Sequence, residues 1–376
     1  MAEEEGSATE AVALRHKFQD LISELKRSSE STLDASNSFC QDFCQVLMHH
    51  GCQWRPDEDP LPLLEMYTVA IMCCAEASPF LSPECEHVTD VLEKLSWSCL
   101  NLLLSFSEQI PGALWEEFQS SVKMAHGILQ AHGNSQLHNL LTLAEENGVW
   151  SNATLCSLLS SDIINVQKVH EFLSREGPEL LHMRIKHLMK QKHMEKAARL
   201  AKTCAEFPEF GGKKNFKPIY LVCLCEIKPQ EELMQEIKEV DCKEALDMIC
   251  NLESEEEEKG ALGLCTAFFK RQLLCGDAYC AWELTLFWSK LLIRLESKQA
   301  FLEQCRLLAR LSGSVYHILL LIKVIQAEVR KVFVFMSMCF GNQGNGIQVT
   351  VTFLFPQVEK GGLSVCIEMC IQALKM

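Results

Sequence analysis

No run of about 18 uninterrupted apolar residues, the length a membrane-spanning helix needs, occurs anywhere in this sequence. Tyr316 to Phe340 comes nearest, and Lys323, Glu328, Arg330 and Lys331 interrupt it. The opening MAEEEGSATE has no basic segment followed by an apolar one, so no secretory leader is expected. A reducing compartment follows, with the 20 cysteines expected as free thiols and many of them as small core residues. Cations are in deficit too: 35 Lys and Arg face 50 Asp and Glu, a formal net charge of −15. That balance argues against a broad grip on a nucleic-acid backbone, which needs clustered positive charge.

Reaction motifs are missing as well. His170-Glu171 lacks the second histidine of H-E-x-x-H, because Ser174 stands in its place. There is no G-x-S-x-G elbow, Gly212-Lys213-Lys214 lacks the glycine pattern and hydroxyl of a P-loop, and Gly341 to Gly346 is only a glycine-rich turn. Asn152-Ala153-Thr154 fits a glycosylation sequon that has no use without secretion. The densest Cys/His group, Cys40, Cys44, His49, His50 and Cys52, matches no common zinc spacing. Cys223 with Cys225, and Cys366 with Cys370, lack nearby histidines, and Cys73-Cys74 reads as core. No catalytic, cofactor-binding or metal-binding residue is therefore assigned, and neither a small-molecule substrate nor a membrane is expected.

What the sequence has in abundance is helical periodicity. Ala11 to Leu25 and Phe39 to His50 each gather apolar residues on one face, with Ser28 to Ser38 between them as a flexible polar linker. Two prolines open the helix after Asp57, and Ser82-Pro83-Glu84 offers a cap, a first-turn proline and an acid. Behind it Cys85, Val88, Leu92, Leu95, Cys99 and Leu102 recur at alternating spacings of three and four, as do Trp115, Phe118, Val122, Ala125 and Leu129. Pro178 to Phe207 reads as a tetratricopeptide-type hairpin: a helix, a polar turn, then alanines facing the partner. The basic concentration on it, Arg184, Lys186, Lys190, Lys192, Lys196, Arg199 and Lys202, reads as a solvated face.

Glu239 to Leu295 is the most densely apolar block, and three helices are predicted in it. Asp241 with Glu244, and Ser254 with Glu257, are spaced as capping boxes; Gly276 and Asp277 suit a helix stop and the next start. The acidic run Glu255 to Glu258 then sits in a first turn, where the macrodipole favours it. The last helix carries charge only at Glu283, Lys290 and Arg294, so Trp282, Phe287, Trp288 and Ile293 are expected to be buried on most sides.

Residues 329–357 break this style. They lack helical amphipathicity, carry a Gly/Asn turn and are rich in Val, Phe and Thr, as a β-hairpin is. Removing them joins Glu328 to Val358 as a continuous helix–turn–helix, and the flanking residues permit splice-site codons. A retained in-frame intron or gene-model error is one expectation; a genuine β-prone insertion is the other.

Several stretches together resemble the Rlf-like C2H2 zinc finger transcription factors. They are DPLPLLEMYTVAI (Asp59 to Ile71), SPECEHV (Ser82 to Val88), NGVWSNATLCSLLS (Asn147 to Ser160), EGPELLHMRIKHLMK (Glu176 to Lys190), YLVCLC (Tyr220 to Cys225), the block from Glu239, and VYHILLLIKVI (Val315 to Ile325). The resemblance runs from about residue 38 to 328 and resumes at Val358, with no counterpart expected for 329–357. It implies a nuclear regulator of RNA polymerase II transcription whose helical-repeat region precedes DNA-binding fingers. No C2H2 unit occurs in this sequence, so no zinc ligand or base-contacting residue carries over, and a truncated product or fragment is expected.

The expected architecture is all-α: a degenerate tetratricopeptide-like α-solenoid of antiparallel helix pairs with an atypical β-prone insertion. Its segments are 1–37, an N-terminal helix and Ser-rich linker; 38–328, the helical repeats; 329–357, the insertion; and 358–376, a continuation of the repeats. The expected function is a non-catalytic scaffold binding nuclear or chromatin-associated proteins, without cofactor, zinc being needed only by fingers absent from this chain. The alternative is a cytoplasmic helical-repeat adaptor in trafficking or protein degradation.

Overall fold

A computed structural model describes residues 2–27, 32–51, 60–106, 110–146, 148–160, 162, 165–211, 215–227, 231–254, 257–275, 278–296, 300–301 and 303–305. Among them there is helix, turn and loop but no strand. The β-prone segment 329–357 and the continuation 358–376 lie outside the described residues. The chain forms two compact units, Met1–Lys214 and Asn215–Met376.

The first unit contains α1 (Ala2–Arg27), α2 (Leu33–Gly51), α3 (Leu61–Ala77), α4 (Glu86–Ser105), α5 (Gly112–Ala131), α6 (His138–Ala144), α7 (Ala153–Ser160), α8 (Val166–Lys190) and α9 (Met194–Glu206). Pro60 caps α3 and Pro62 sits in its first turn, where a missing N–H costs least. With Leu64, Ala70, Ile71, Ala75 and Ala77 fully buried, α3 is the centre of this unit and packs against α1, α4 and α5. Leu61–Phe80 is also apolar and long enough to cross a bilayer, but 67% of that stretch is buried inside the protein, as a core helix is. The spacing-derived faces of α4 and α5 are the buried ones: Cys85, Val88, Leu92, Leu95, Cys99 and Leu102, then Trp115, Phe118, Val122, Ala125 and Leu129. Phe18 of α1 stacks on Phe43 of α2 with ring centroids 4.5 Å apart.

Two expectations in this unit fail together. The Ser-rich segment is not all linker, because α2 starts at Leu33, with the Thr32 hydroxyl accepting the Ala35 N–H at 3.3 Å. Ser36 is fully buried, and its hydroxyl oxygen accepts the Ser82 N–H at 2.9 Å; the Cys85 thiol donates to Asn37 Oδ1 at 3.2 Å. Held this way, Ser82-Pro83-Glu84 makes a turn, and α4 begins only at Glu86. Short polar side chains that look like loop chemistry are here the pegs fixing one connection to a helix.

Helices α5 and α8 end in the same six-to-one hydrogen-bond pattern. Asn134 N–H donates to Leu129 O past Gly133 (φ 77°), and His193 N–H to Leu188 O past Lys192 (φ 65°). Glycine suits the left-handed position, whereas lysine takes it at a steric cost. The turn at Lys192 folds α9 back on α8, giving the hairpin read from Pro178 to Phe207.

The second unit contains α10 (Lys217–Glu226), α11 (Glu231–Glu236), α12 (Cys242–Ser254), α13 (Glu258–Cys275) and α14 (Ala278–Leu295). Asp241 Oδ1 accepts the Glu244 N–H at 2.8 Å, as its spacing predicts. Ser254 does not cap the next helix; it ends α12, and its hydroxyl donates to Asn251 O at 2.7 Å. Gly276 and Asp277 lie outside the described residues. Helices α10 and α13 approach closely at Gly260, where a Cβ would stand 2.9 Å from Val222 Cγ1. Arg271 donates to the carbonyls of Ile237 and Val240, tying α13 to the turn before α12.

Helix α14 is less enclosed than its composition predicts. Leu284, Trp288, Leu291 and Leu292 are buried, but Leu286 and Ile293 are exposed and Phe287 is half-buried; the Trp282 side chain lies outside the described residues. Apolar residues on three sides of a helix do not need three packed neighbours, since much of any folded surface is apolar. Cys242 is disulfide-bonded, against the expectation that every thiol is free.

Candidate protein-interaction surface

Helix α8 bends at Gly177 (φ 76°, ψ 164°), a backbone region open in practice only to glycine, and Pro178 starts its second half. On a straight helix residues eight apart would be separated by about 12 Å along the axis. Across this bend, Arg184 Nε donates to Glu176 Oε2 at 2.7 Å, and both side chains are 0% exposed. Arg184 Nη1 also donates to Val149 O at 2.6 Å, and its guanidinium lies over the Trp150 ring at 5.2 Å. Two of the quoted stretches, NGVW and EGPELLHMRIKH, therefore meet around one buried cation. Arg184 is thus not part of a solvated basic face: it is a strut.

Around this strut, other polar residues of the same stretches are also committed. Asn152 Oδ1 accepts the N–H groups of Thr154 and Leu155, capping α7, and its amide donates to Glu146 Oε1 at 2.9 Å. Arg175 reaches the same Glu146 oxygen at 2.5 Å. The apparent sequon is a helix start. His187 packs near Trp150 with Nε2 buried and without a hydrogen-bond partner. Burial, then the Lys190 charge, holds its pKa below the ordinary value of 6.5.

Of the remaining cations on the α8–α9 hairpin, Arg199 donates to Leu159 O at 2.5 Å and pairs with Glu195 at 3.5 Å. Lys190, Lys192 and Lys196 are exposed around the turn. The acidic run resolves similarly: Glu258, at the start of α13, meets Arg294 at 3.0 Å, and that arginine also meets Glu253 at 2.8 Å. Glu255 and Glu256 lie outside the described residues.

The cysteine groups are packed thiols. Cys40 faces Cys85 in the core of the first unit, and burial pushes its thiol up to about 12; Cys73, Cys223 and Cys225 are raised to about 12 for the same reason. His50 instead contacts Lys17 Nζ at 3.1 Å, so Cys40 and His50 do not converge. Among the described residues no three His, Cys, Asp or Glu side chains are placed to hold a metal ion. Cys52, Cys366 and Cys370 lie outside the described residues. His170, of the incomplete H-E-x-x-H, rests against the Phe207 ring at 5.0 Å.

One concavity went unread in the sequence. Between α7, α8 and α9 lies a groove of about 400 Å³, lined by the apolar Leu158, Val166, Val169, Leu173 and Phe207 and by Asp162, His170, Thr203 and Glu206. Val166 is 66% exposed at its mouth. No periodicity marks such a groove, because its walls come from three helices and a helix end.

The fold and its committed polar residues define a helical framework in which the distinctive sequence is spent on packing. Residues 236–341 match the family model of the tetratricopeptide repeats of Rlf-like zinc finger proteins. Human zinc finger protein 292 is 47% identical over 374 residues, 99% of this chain and 13% of that protein. Human zinc finger protein 654 is 30% identical over 345 residues, 91% of this chain and 28% of that protein. Nearly all of the chain is thus similar to these zinc finger proteins, the Rlf-like match itself covers residues 236–341, and the chain spans only a small part of these relatives. A solved circular tandem repeat protein is 14% identical over 97% of this chain and 95% of its own, with a TM-score of 0.22, too low to carry any argument. The family match takes in 329–341, the first part of the segment for which no counterpart was expected.

Proposed function

We propose that this chain is a non-catalytic, α-helical protein-interaction scaffold from a nuclear zinc-finger transcription regulator. The observation that carries the reading is where the polar residues of the family-like stretches go. Glu176, Arg184 and Asn152 hold a bend, a loop and a helix start, leaving exposed helix faces and grooves for the work. Helical repeats bind partners on such surfaces. The relatives, being zinc finger proteins, support a nuclear setting and a role in RNA polymerase II transcription. DNA contact is assigned to finger regions of the whole regulators, and zinc with it. This chain needs no cofactor, and its net charge of −15 does not favour duplex binding.

Affinity capture from matched nuclear and cytoplasmic extracts, followed by mass spectrometry, tests this reading. Chromatin-associated proteins should be enriched reproducibly. Enrichment of membrane coats or ubiquitin machinery without chromatin proteins would establish the cytoplasmic-adaptor alternative. Specific, salt-resistant DNA binding by the isolated chain would contradict the division of labour.

A further inference from the structure

The groove between α7, α8 and α9 has a character that selects its occupant. Its apolar lining is aliphatic and aromatic, from Leu158, Val169, Leu173 and Phe207 with the exposed Val166 at the mouth. Its edge carries two carboxylates, Asp162 just beyond α7 and Glu206 as the last residue of α9. Neither has an ion-pair partner among the described residues, whereas Glu146, Glu176, Glu244, Glu253 and Glu258 are each held by an Arg or Lys.

The backbone reinforces that sign. The groove edge collects the C-terminal ends of α7 and α9, the negative ends of their dipoles; at α7 the Ser157 and Leu159 carbonyls are taken up by the Asp162 N–H and by Arg199. Arg199 is already committed to Leu159 O and Glu195, and among the described residues no Lys or Arg lines the groove. Asn165 caps the N-terminus of α8 with its own side chain, which takes up one donor there. An apolar slot with an unneutralised anionic collar fits an amphipathic ligand bearing a cation beside its apolar side chains.

We propose that this groove docks a short amphipathic peptide segment of a partner protein, apolar residues inward and Lys or Arg against Asp162 and Glu206. The inference rests on the scaffold reading and names the partner chemistry at one of its surfaces. A volume of about 400 Å³ is at the small end for ligand clefts and suits a few side chains rather than a whole helix.

Fluorescence anisotropy with two labelled probes tests it: a short Leu/Lys amphipathic peptide, and the same peptide with Glu replacing Lys. The full chain should bind the Leu/Lys probe and not the Leu/Glu probe. Val166→Ser, at an exposed position, and the double variant Asp162→Lys/Glu206→Lys should each raise Kd by about tenfold or more. A control, Glu24→Lys/Glu116→Lys, changes net charge equally at exposed sites remote in sequence and should leave Kd unchanged. No binding of the Leu/Lys probe, equal binding by all variants, equal weakening by the control, or equal binding of both probes would each overturn the proposal. Chromatin-protein capture that survives Asp162→Lys/Glu206→Lys unchanged would sink the groove alone, leaving the scaffold reading in place.

Discussion

Each unit contains an arginine paired with glutamate, and the two pairs work differently. Arg184 and Glu176 are 0% exposed and sit across a bend, with a backbone carbonyl and an indole completing the shell. Arg294 meets Glu253 and Glu258 with its side chain 41% exposed. A buried pair is costly to form and still costlier to break, because removing one partner strands the other charge away from water. An exposed pair exchanges solvent for a partner at little net gain. Charge spacing in the sequence does not distinguish them; the bend at Gly177 does.

The largest expected effect is therefore at the buried pair. Arg184→Met should lower unfolding free energy by about 3–5 kcal/mol, measured by urea denaturation. Replacing both partners, Glu176→Leu with Arg184→Met, should recover most of that loss, since no charge is then stranded. A double variant as unstable as the single one would mean that the pair itself supplies the stability.

Next comes packing in the second unit. Gly260→Ala should cost about 1–3 kcal/mol through overpacking against Val222, and Val222→Ala in the same chain should relieve part of that cost. Additive losses would show that the two helices do not meet there in solution.

Near the buried pair, pH provides a subtler probe. The folded-state pKa of His187 is depressed, so the unfolded chain binds the proton more readily. Its contribution is fully present above the unfolded value of 6.5 and is lost as pH falls from there through the folded value. Thermal melts from pH 8 to 5 should show this fall, and His187→Phe should flatten that part of the profile.

The smallest effects lie at the surface. Lys192→Gly should stabilise by up to about 1 kcal/mol by relieving the left-handed turn, read from the denaturation midpoint. Arg294→Ala should shift that midpoint less than any other substitution here, and less still in high salt. A larger effect for Arg294 than for Arg184 would reverse the comparison.

Much of the helical framework was legible in the sequence. Alternating three- and four-residue spacings mark the buried faces of α4 and α5 residue by residue, since burial on a helix imposes its own period. What spacing could not show depends on contacts between distant segments. Ser36 and Asn37 look like linker residues until Ser82 and Cys85 arrive against them. Arg184 looks like one cation among seven until the Gly177 bend turns it inward. Ser254 and Glu257 have the spacing of a capping box, yet Ser254 closes the preceding helix. The groove is invisible for the same reason, having walls from α7, α8 and α9.

The most direct test of the account joins the folded state to partner binding in one variant. Glu176→Leu/Arg184→Met should retain helicity and a cooperative melt, and should capture the same nuclear proteins as the parent chain. A well-folded double variant that loses those partners would contradict the account, by making the buried pair part of a functional site instead of the frame that supports one.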